Sequence, residues 1–362
     1  MHKTIVASVT LAAAVFCTAP AWAIDDDTPH VQQSIDGYIR PAFAKFAEEA
    51  ALLAPATNAV CQDTTQESKA EFSDRYRALV EAFGGVSFLR FGPLIDDHRL
   101  ESLAFMPDPR GITQRQIRKM LAEQDASATN PAQLAEKSVA LQGLTALQLI
   151  AFDKSGNVIL GDPSDKRDYI CGYAEAITLN VSRITSKISV EWQDPDGYSS
   201  RLLSPSPETG QIRSSKEAIE TIFNALVTGL IVVKDQELLP AIGTEISKSK
   251  ANRLPFTRSA DGRAYLISEL EGIHATLVAA NFSPSLGKEF GWLLNSLDFE
   301  FNNGITSLKA INQPLRQSIK DDEIYNRLNL LVITVNSLRD TMALELAGAL
   351  SLTGGFNALD GD

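Results

Sequence analysis

The sequence lacks the short motifs by which most enzyme classes are recognised. It contains no HExxH zinc motif, no serine nucleophile elbow, no phosphate-binding loop and no CxxCH haem-attachment site. It has only four histidines and three cysteines, and no two cysteines have CxxC spacing. Nothing in the sequence therefore indicates an independent enzyme class.

Basic residues are also fewer than acidic residues. The chain has 33 Lys and Arg residues against 45 Asp and Glu residues, which gives a net charge of −12. A surface of this sign repels phosphate backbones, so nucleic acid is not expected as a partner.

Long apolar runs are missing beyond the first residues, and the first run is typical of an export signal. Lys3 provides a short basic start, residues 5–16 are apolar but too short to span a bilayer, and Ala21-Trp22-Ala23 has the small-x-small pattern of a cleavage site. Cys17 does not indicate a lipoprotein, because bulky Phe16 precedes it. We predict a signal peptide over 1–23, cleavage after Ala23 and a soluble periplasmic product.

Two cysteines remain after cleavage, Cys61 and Cys171. In an oxidising compartment a lone pair is most simply a disulfide, and the alternative is two buried free thiols. We predict the disulfide, with a structural and not a catalytic role.

Apolar residues recur mostly with helical spacing, and strand patterns are few. Predicted helices cover about 31–56, 64–83, 112–124, 130–152, 166–192, 215–237, 260–280, 284–300 and 321–349. We expect Pro55 to end the first helix and Gly84-Gly85 to end the second. The only strand candidates are residues 86–91 and 157–161.

A stretch rich in Pro, Gly and Ser at 194–212 is the clearest linker. About four long helices with short connections lie on each side of it. The sequence therefore predicts an all-α fold of two up-and-down helical bundles, 24–193 and 213–362, with at most a minor short β element.

Several stretches resemble the imelysin-like family. They are the closing GGFNALDGD (354–362), RFGPL (90–94) followed by FMPDPRG (105–111), and QGLTALQLIAF (142–152), which aligns with the segment where the family usually carries Gly-x-His-x-x-Glu. The resemblance implies an exported, all-helical, two-domain protein associated with iron acquisition. The family was first described as a metallopeptidase class, and in related iron-transport components the His and Glu of this motif are the proposed metal ligands.

In this chain Gly143 stands at the motif's Gly, Thr145 at its His and Gln148 at its Glu. Neutral hydroxyl and amide oxygens are weak ligands for iron or zinc, and neither residue can act as a base on water. Gly143 can still allow a neighbouring helix to approach closely. We interpret Thr145 and Gln148 as the remnant of a metal site, either hydrogen-bonded inside a bundle or lining a ligand pocket.

Asp97, His98 and Glu101 form a second metal candidate, since His98 and Glu101 would share one face of a helix. The same residues are also compatible with a solvated turn in which Arg99 is paired with its acidic neighbours.

A third candidate is a local excess of arginine in a chain that is otherwise acidic. Residues 86–120 have six basic and four acidic side chains, and three prolines prevent 92–110 from forming one continuous helix. Arginines on such an irregular segment could receive a carboxylate-bearing ligand, or could pair with nearby acids and hold the loop in place. We expect any ligand pocket to include this segment and to lie near Thr145. The candidate ligand-binding residues are Arg90, Asp96, Arg99, Arg110, Thr145 and Gln148.

The function expected from residues and resemblance together is that of an exported binding protein associated with iron acquisition, without peptidase activity. The expected ligand is an iron species or a small anion. The only candidate cofactor is iron or another divalent metal. The expected partners are components of iron uptake in the cell envelope. The alternatives are a metallopeptidase that uses His98 and Glu101, and an interaction protein of the cell envelope.

Overall fold

Helices account for most of the structure, a computed structural model that describes residues 26–208 and 210–353. The first half contains α1 (Thr28–Ser34), α2 (Arg40–Gln62), α3 (Gln66–Ser87), α4 (Arg99–Leu103), α5 (Ile112–Glu123), α6 (Pro131–Ala135), α7 (Leu144–Ala151) and α8 (Arg167–Gln193). A π-helical segment, Ile35–Ile39, joins α1 to α2. Short 3₁₀ turns cover Gly92–Leu94, Asp96–His98, Ala126–Thr129 and Val139–Leu141.

The second half has the same character. Its helices are α9 (Tyr198–Leu203), α10 (Ser215–Ile231), α11 (Leu239–Ile242), α12 (Gly262–Ala280), α13 (Trp292–Lys309), α14 (Leu315–Ser318), α15 (Asp322–Asp340) and α16 (Ala347–Ala349). The π-helical segments Val232–Leu238 and Thr341–Leu346 extend α10 and α15. Over the described ranges, no helix combines the length and apolar character that a membrane span requires.

The all-α prediction is confirmed, and both strand candidates are wrong. Residues 86 and 87 continue α3, and the residues after them form a turn. The 157–161 segment makes only an isolated bridge between Phe152 and Val158, and no other β-pairing occurs in 26–208 or 210–353. Both segments are short apolar runs, whose pattern does not distinguish a strand from buried helix or loop.

Two predicted helix ends are also wrong. Pro55 lies inside α2, which continues to Gln62, and α3 runs through Gly84-Gly85 to Ser87. Packing explains Gly84, because a Cβ at this position would lie 2.8 Å from the backbone oxygen of Tyr265 on α12. Gly84 therefore allows two helices to approach closely and does not stop one of them.

The predicted helix over 130–152 is divided into three pieces. Asn130 caps α6 as expected, with its side chain accepting from the backbone N–H groups of Ala132 and Gln133. The helix ends at Ala135, and a 3₁₀ turn precedes α7. The helix expected over 284–300 begins only at Trp292, after two 3₁₀ turns.

The buried apolar core forms one continuous cluster that includes residues from both halves of the chain. The helix α3 packs along α12, and α1 packs against α10 and α12. The predicted disulfide is confirmed: Cys61 on α2 is bonded to Cys171 on α8, with 5.8 Å between their Cα atoms. The division into two bundles at 194–212 stays a prediction, and α9 lies within that predicted linker. The signal peptide and the closing 354–362 motif lie outside the described residues.

Candidate functional site

A cavity of about 480 Å³ lies between the two halves of the chain. Its walls come from α7, from the proline-rich loop 105–111, from the π-helical segment after α10 and from residues 252–258. Arg90, Thr145 and Gln148, three of the residues singled out from the sequence, line this cavity together.

Side-chain hydrogen bonds hold the proline-rich loop in place. The Thr145 hydroxyl accepts the Phe105 backbone N–H at 3.1 Å, and the Asp108 carboxylate accepts the N–H groups of Ile112 and Thr113 at 2.8 and 2.9 Å. Asp108 thereby satisfies donors in the first turn of α5 that have no partner within the helix. Thr145 therefore attaches the loop to α7.

The other two positions of the altered motif have different surroundings. A Cβ on Gly143 would lie 2.1 Å from the backbone oxygen of Leu103, so the end of α4 packs directly on this glycine. This close approach was expected from the sequence. Gln148 lines the cavity, and its buried Oε1 has no hydrogen-bond partner in the part of the chain that is described.

Basic side chains outnumber acidic ones around the cavity. They are Arg90, Lys154, Arg253, Arg258 and Arg316. Within residues 26–208 and 210–353 none of the five makes an ion pair, and Arg258 Nε donates instead to the Phe152 carbonyl at 2.7 Å. Burial, and then repulsion from Arg316, lower the pKa of Arg258.

Three acidic residues line the same cavity, and none of them balances these cations by an ion pair. Asp108 is engaged by the start of α5, and Asp235 pairs with Lys234 at 3.5 Å. Glu237 is buried against Glu269, and burial raises the pKa of Glu237 to about 7. The cavity is therefore electropositive in a chain whose net charge is −12.

Three of the candidate ligand-binding residues do not line this cavity. Arg99 is buried and binds Glu191 through two contacts of 2.5 and 3.1 Å, as well as the Pro93 carbonyl at 2.8 Å. This is the structural role that we considered as its alternative. Asp96 and Arg110 are exposed and lie outside the cavity lining.

The Asp97, His98 and Glu101 segment differs from its expected form. Asp97 and His98 have positive φ angles of 53° and 56°, and α4 begins only at Arg99. The expectation that His98 and Glu101 share a helical face is therefore wrong. Asp97 lies 3.6 Å from the Lys187 ammonium. No cluster of three or more His, Cys, Asp or Glu side chains suited to a metal ion occurs in the described ranges.

Sequence reasoning missed most of the cationic wall, which comes from the second half of the chain. Arg253 and Arg258 belong to a short irregular segment between α11 and α12, and Arg316 lies on α14. The composition of residues 251–261, ANRLPFTRSAD, resembles that of the 90–110 loop, with arginines near a proline. This similarity is the feature of the sequence that could have indicated the second group of cavity-lining arginines.

Comparisons with known proteins agree on the fold. A family model described as Peptidase_M75, Imelysin, matches residues 39–342. The structure of an imelysin-like protein from Psychrobacter arcticum 273-4 is similar, with a TM-score of 0.74 and 18% identity over 91% of this chain and 97% of that one. A protein from Parabacteroides distasonis ATCC 8503, assigned as an iron-regulated protein A precursor, gives a TM-score of 0.64 and 13% identity over 87% and 94% of the two chains. A search of curated proteins finds no match.

Proposed function

This chain belongs to the imelysin family, and from that premise we propose that it is an exported binding protein whose cavity holds a small anionic ligand. We propose that in iron acquisition this ligand is an anionic iron chelate. One observation carries the proposal: five basic side chains line the cavity, and none of them has an acidic ion-pair partner in the described residues. Charged groups that line a cavity without forming an ion pair favour a ligand of opposite charge.

The residues around the altered motif suit a chelate better than a bare metal ion. The Thr145 hydroxyl is already used by the Phe105 N–H, and Gln148 offers only an amide. Five neighbouring cations repel a free ferric or divalent ion. A chelate supplies its own metal ligands and presents anionic groups, which guanidinium binds in a bidentate manner.

Export and the connection with iron have separate support. The basic start, apolar run and small-x-small site at 1–23 favour export, and the Cys61–Cys171 disulfide is typical of an oxidising compartment. The connection with iron rests on the family resemblance and on the assignment of the Parabacteroides protein as an iron-regulated protein A precursor.

The test is calorimetric titration of the mature chain with citrate and with ferric citrate, at low and at physiological ionic strength. We expect binding that weakens as salt is added, because partly exposed charges are screened. The variant Arg316→Gln should weaken binding by about tenfold, equivalent to about 1.4 kcal/mol. Arg201→Gln is the matched control, since Arg201 is exposed and lies outside the cavity lining.

Binding of citrate and ferric citrate with equal affinity would support an anion site without a role for iron. Normal binding by Arg316→Gln, Arg258→Gln and Arg253→Gln, all folded, would show that the site is elsewhere. Tight stoichiometric zinc that is lost in His98→Ala would instead favour the metallopeptidase.

A further inference from the structure

Two buried carboxyl groups lie together at the cavity wall. Glu237 lines the cavity and is 5% exposed, and Glu269 on α12 is 1% exposed. Glu269 and Tyr265 lie close enough to Glu237 to lower its pKa, and the Tyr265 hydroxyl lies 3.1 Å from the Ser87 hydroxyl. The second oxygen of Glu237, Oε2, has no partner among the described residues.

The two carboxyl groups differ in how strongly they hold a proton. Burial, and then the negative charge of Glu237, raise the pKa of Glu269 well above its usual range, whereas burial raises the pKa of Glu237 only to about 7. The charged or titratable groups that face the pair are Tyr265 on α12 and Arg90 after α3, and Arg90 opposes the rise at both carboxyls. Glu269 is therefore the member of the pair that holds a proton more strongly, and Glu237 is the member that ionises first.

A second acceptor without a partner lines the same cavity. Gln148 Oε1 is buried and receives no hydrogen bond from the described residues. Buried acceptors of this kind destabilise a fold unless a water molecule or a ligand satisfies them. The cavity thus combines cationic side chains for an anion with two acceptors that require a hydrogen-bond donor.

We propose that the anion bound in this cavity is a hydroxy acid, whose carboxylates contact the arginines and whose hydroxyl, when it is not bound to a metal, donates to Glu237 or Gln148. This inference rests on the anion-binding function proposed above and names the chemical class of the ligand. A neutral hydroxyl suits the site better than an ammonium group, because the basic side chains that line the cavity outnumber the acidic ones and repel a positively charged donor.

Ligands that differ in one group test the inference directly. Malate, succinate and aspartate share a four-carbon dicarboxylate frame and carry a hydroxyl, a hydrogen and an ammonium group respectively. Calorimetric titration of the mature chain should give malate at least tenfold tighter binding than succinate. Aspartate should also bind more weakly than malate. Citrate and its analogue without the hydroxyl, propane-1,2,3-tricarboxylate, form a second pair for which the same order is expected.

Variants of the two acceptors test which side chain distinguishes malate from succinate. In Gln148→Met and in Glu237→Met the acceptor is replaced by an unbranched apolar side chain of similar length. We expect the ratio of malate to succinate affinity to fall towards one in at least one of them. The ratio is the readout because removal of the Glu237 charge alone would strengthen both anions together. Arg316→Gln is the control: it should weaken malate and succinate alike and leave their ratio unchanged.

The outcomes separate this inference from the proposed function. Malate and succinate bound with equal affinity would overturn the hydroxy-acid inference and leave the anion site standing. Aspartate bound more tightly than malate would overturn it in favour of an ammonium-bearing ligand. A tenfold ratio that persists in both acceptor variants would also overturn it. Absence of binding for all the tested anions would overturn the proposed function itself.

Discussion

Thr145 and Gln148 stand three residues apart on α7 but have different roles. Thr145 is 9% exposed and its hydroxyl accepts the Phe105 N–H, whereas Gln148 lines the cavity with its Oε1 unpaired among the described residues. The sequence predicted that both positions belong to one altered motif. It could not predict the partner of Thr145, because this hydrogen bond joins residues 40 apart in the chain.

Replacement of Thr145 should therefore destabilise the fold. Thr145→Val keeps the shape of the side chain but leaves the Phe105 N–H without its acceptor, so we expect a loss of about 1–2 kcal/mol in the free energy of unfolding. Urea denaturation measures this loss. Thr145→Ser, which keeps the hydroxyl, is the control and should lose less. Equal stability of the Val variant and wild type would show that the hydrogen bond contributes nothing.

Glu269 is a buried carboxyl group whose position in an apolar stripe is visible in the sequence. Leu266, Glu269 and Ile273 follow one another at spacings of three and four, and all three are buried on α12. An acidic residue within such an apolar stripe indicates a buried carboxyl group. The pattern is visible in the sequence, but its partner Glu237 could not be identified, because it comes from a different helical segment.

At the scale of elements, helix interiors were predictable and helix ends were not. The helices expected over 112–124 and 166–192 agree closely with α5 and α8. Gly84-Gly85 failed as a stop signal because tertiary packing outweighs local propensity, and Pro55 lies at an exposed position inside α2. At Gly84 the advantage is close contact with α12, which no local pattern reveals.

The close contact makes Gly84→Ala a test of this packing. A Cβ would lie 2.8 Å from Tyr265 O and 3.1 Å from Ser268 Cβ, so α3 and α12 must move apart. We expect a loss of about 1–3 kcal/mol in stability, measured by guanidinium denaturation. Gly348→Ala is the matched control, since nothing lies within 4 Å of a Cβ there and alanine favours a helix. A Gly84→Ala variant as stable as the control would contradict the packing argument.

At the scale of the whole molecule, composition and periodicity were sufficient for the fold class, because nearly every long segment has helical spacing. They were not sufficient for the site. Its walls combine the 90–110 loop, α7 and residues 252–258, which are far apart in the chain. Only the first two were indicated by the residues and the resemblance. A basic cavity in an acidic chain is likewise a property of the assembled fold and not of any one segment.

The Cys61–Cys171 disulfide is the covalent constraint on this assembly, since it joins α2 and α8 across 110 residues. A crosslink of that span restricts the unfolded chain far more than the folded one, and its removal typically costs about 2–5 kcal/mol. We expect the double variant Cys61→Ala/Cys171→Ala to lose stability in this range in urea denaturation. Reduction of the wild-type protein should give a similar loss, which separates the crosslink from the packing of the two side chains. Wild-type protein purified without reductant should have no titratable thiol at Cys61 or Cys171 after denaturation. Two free thiols in that assay would contradict the disulfide itself.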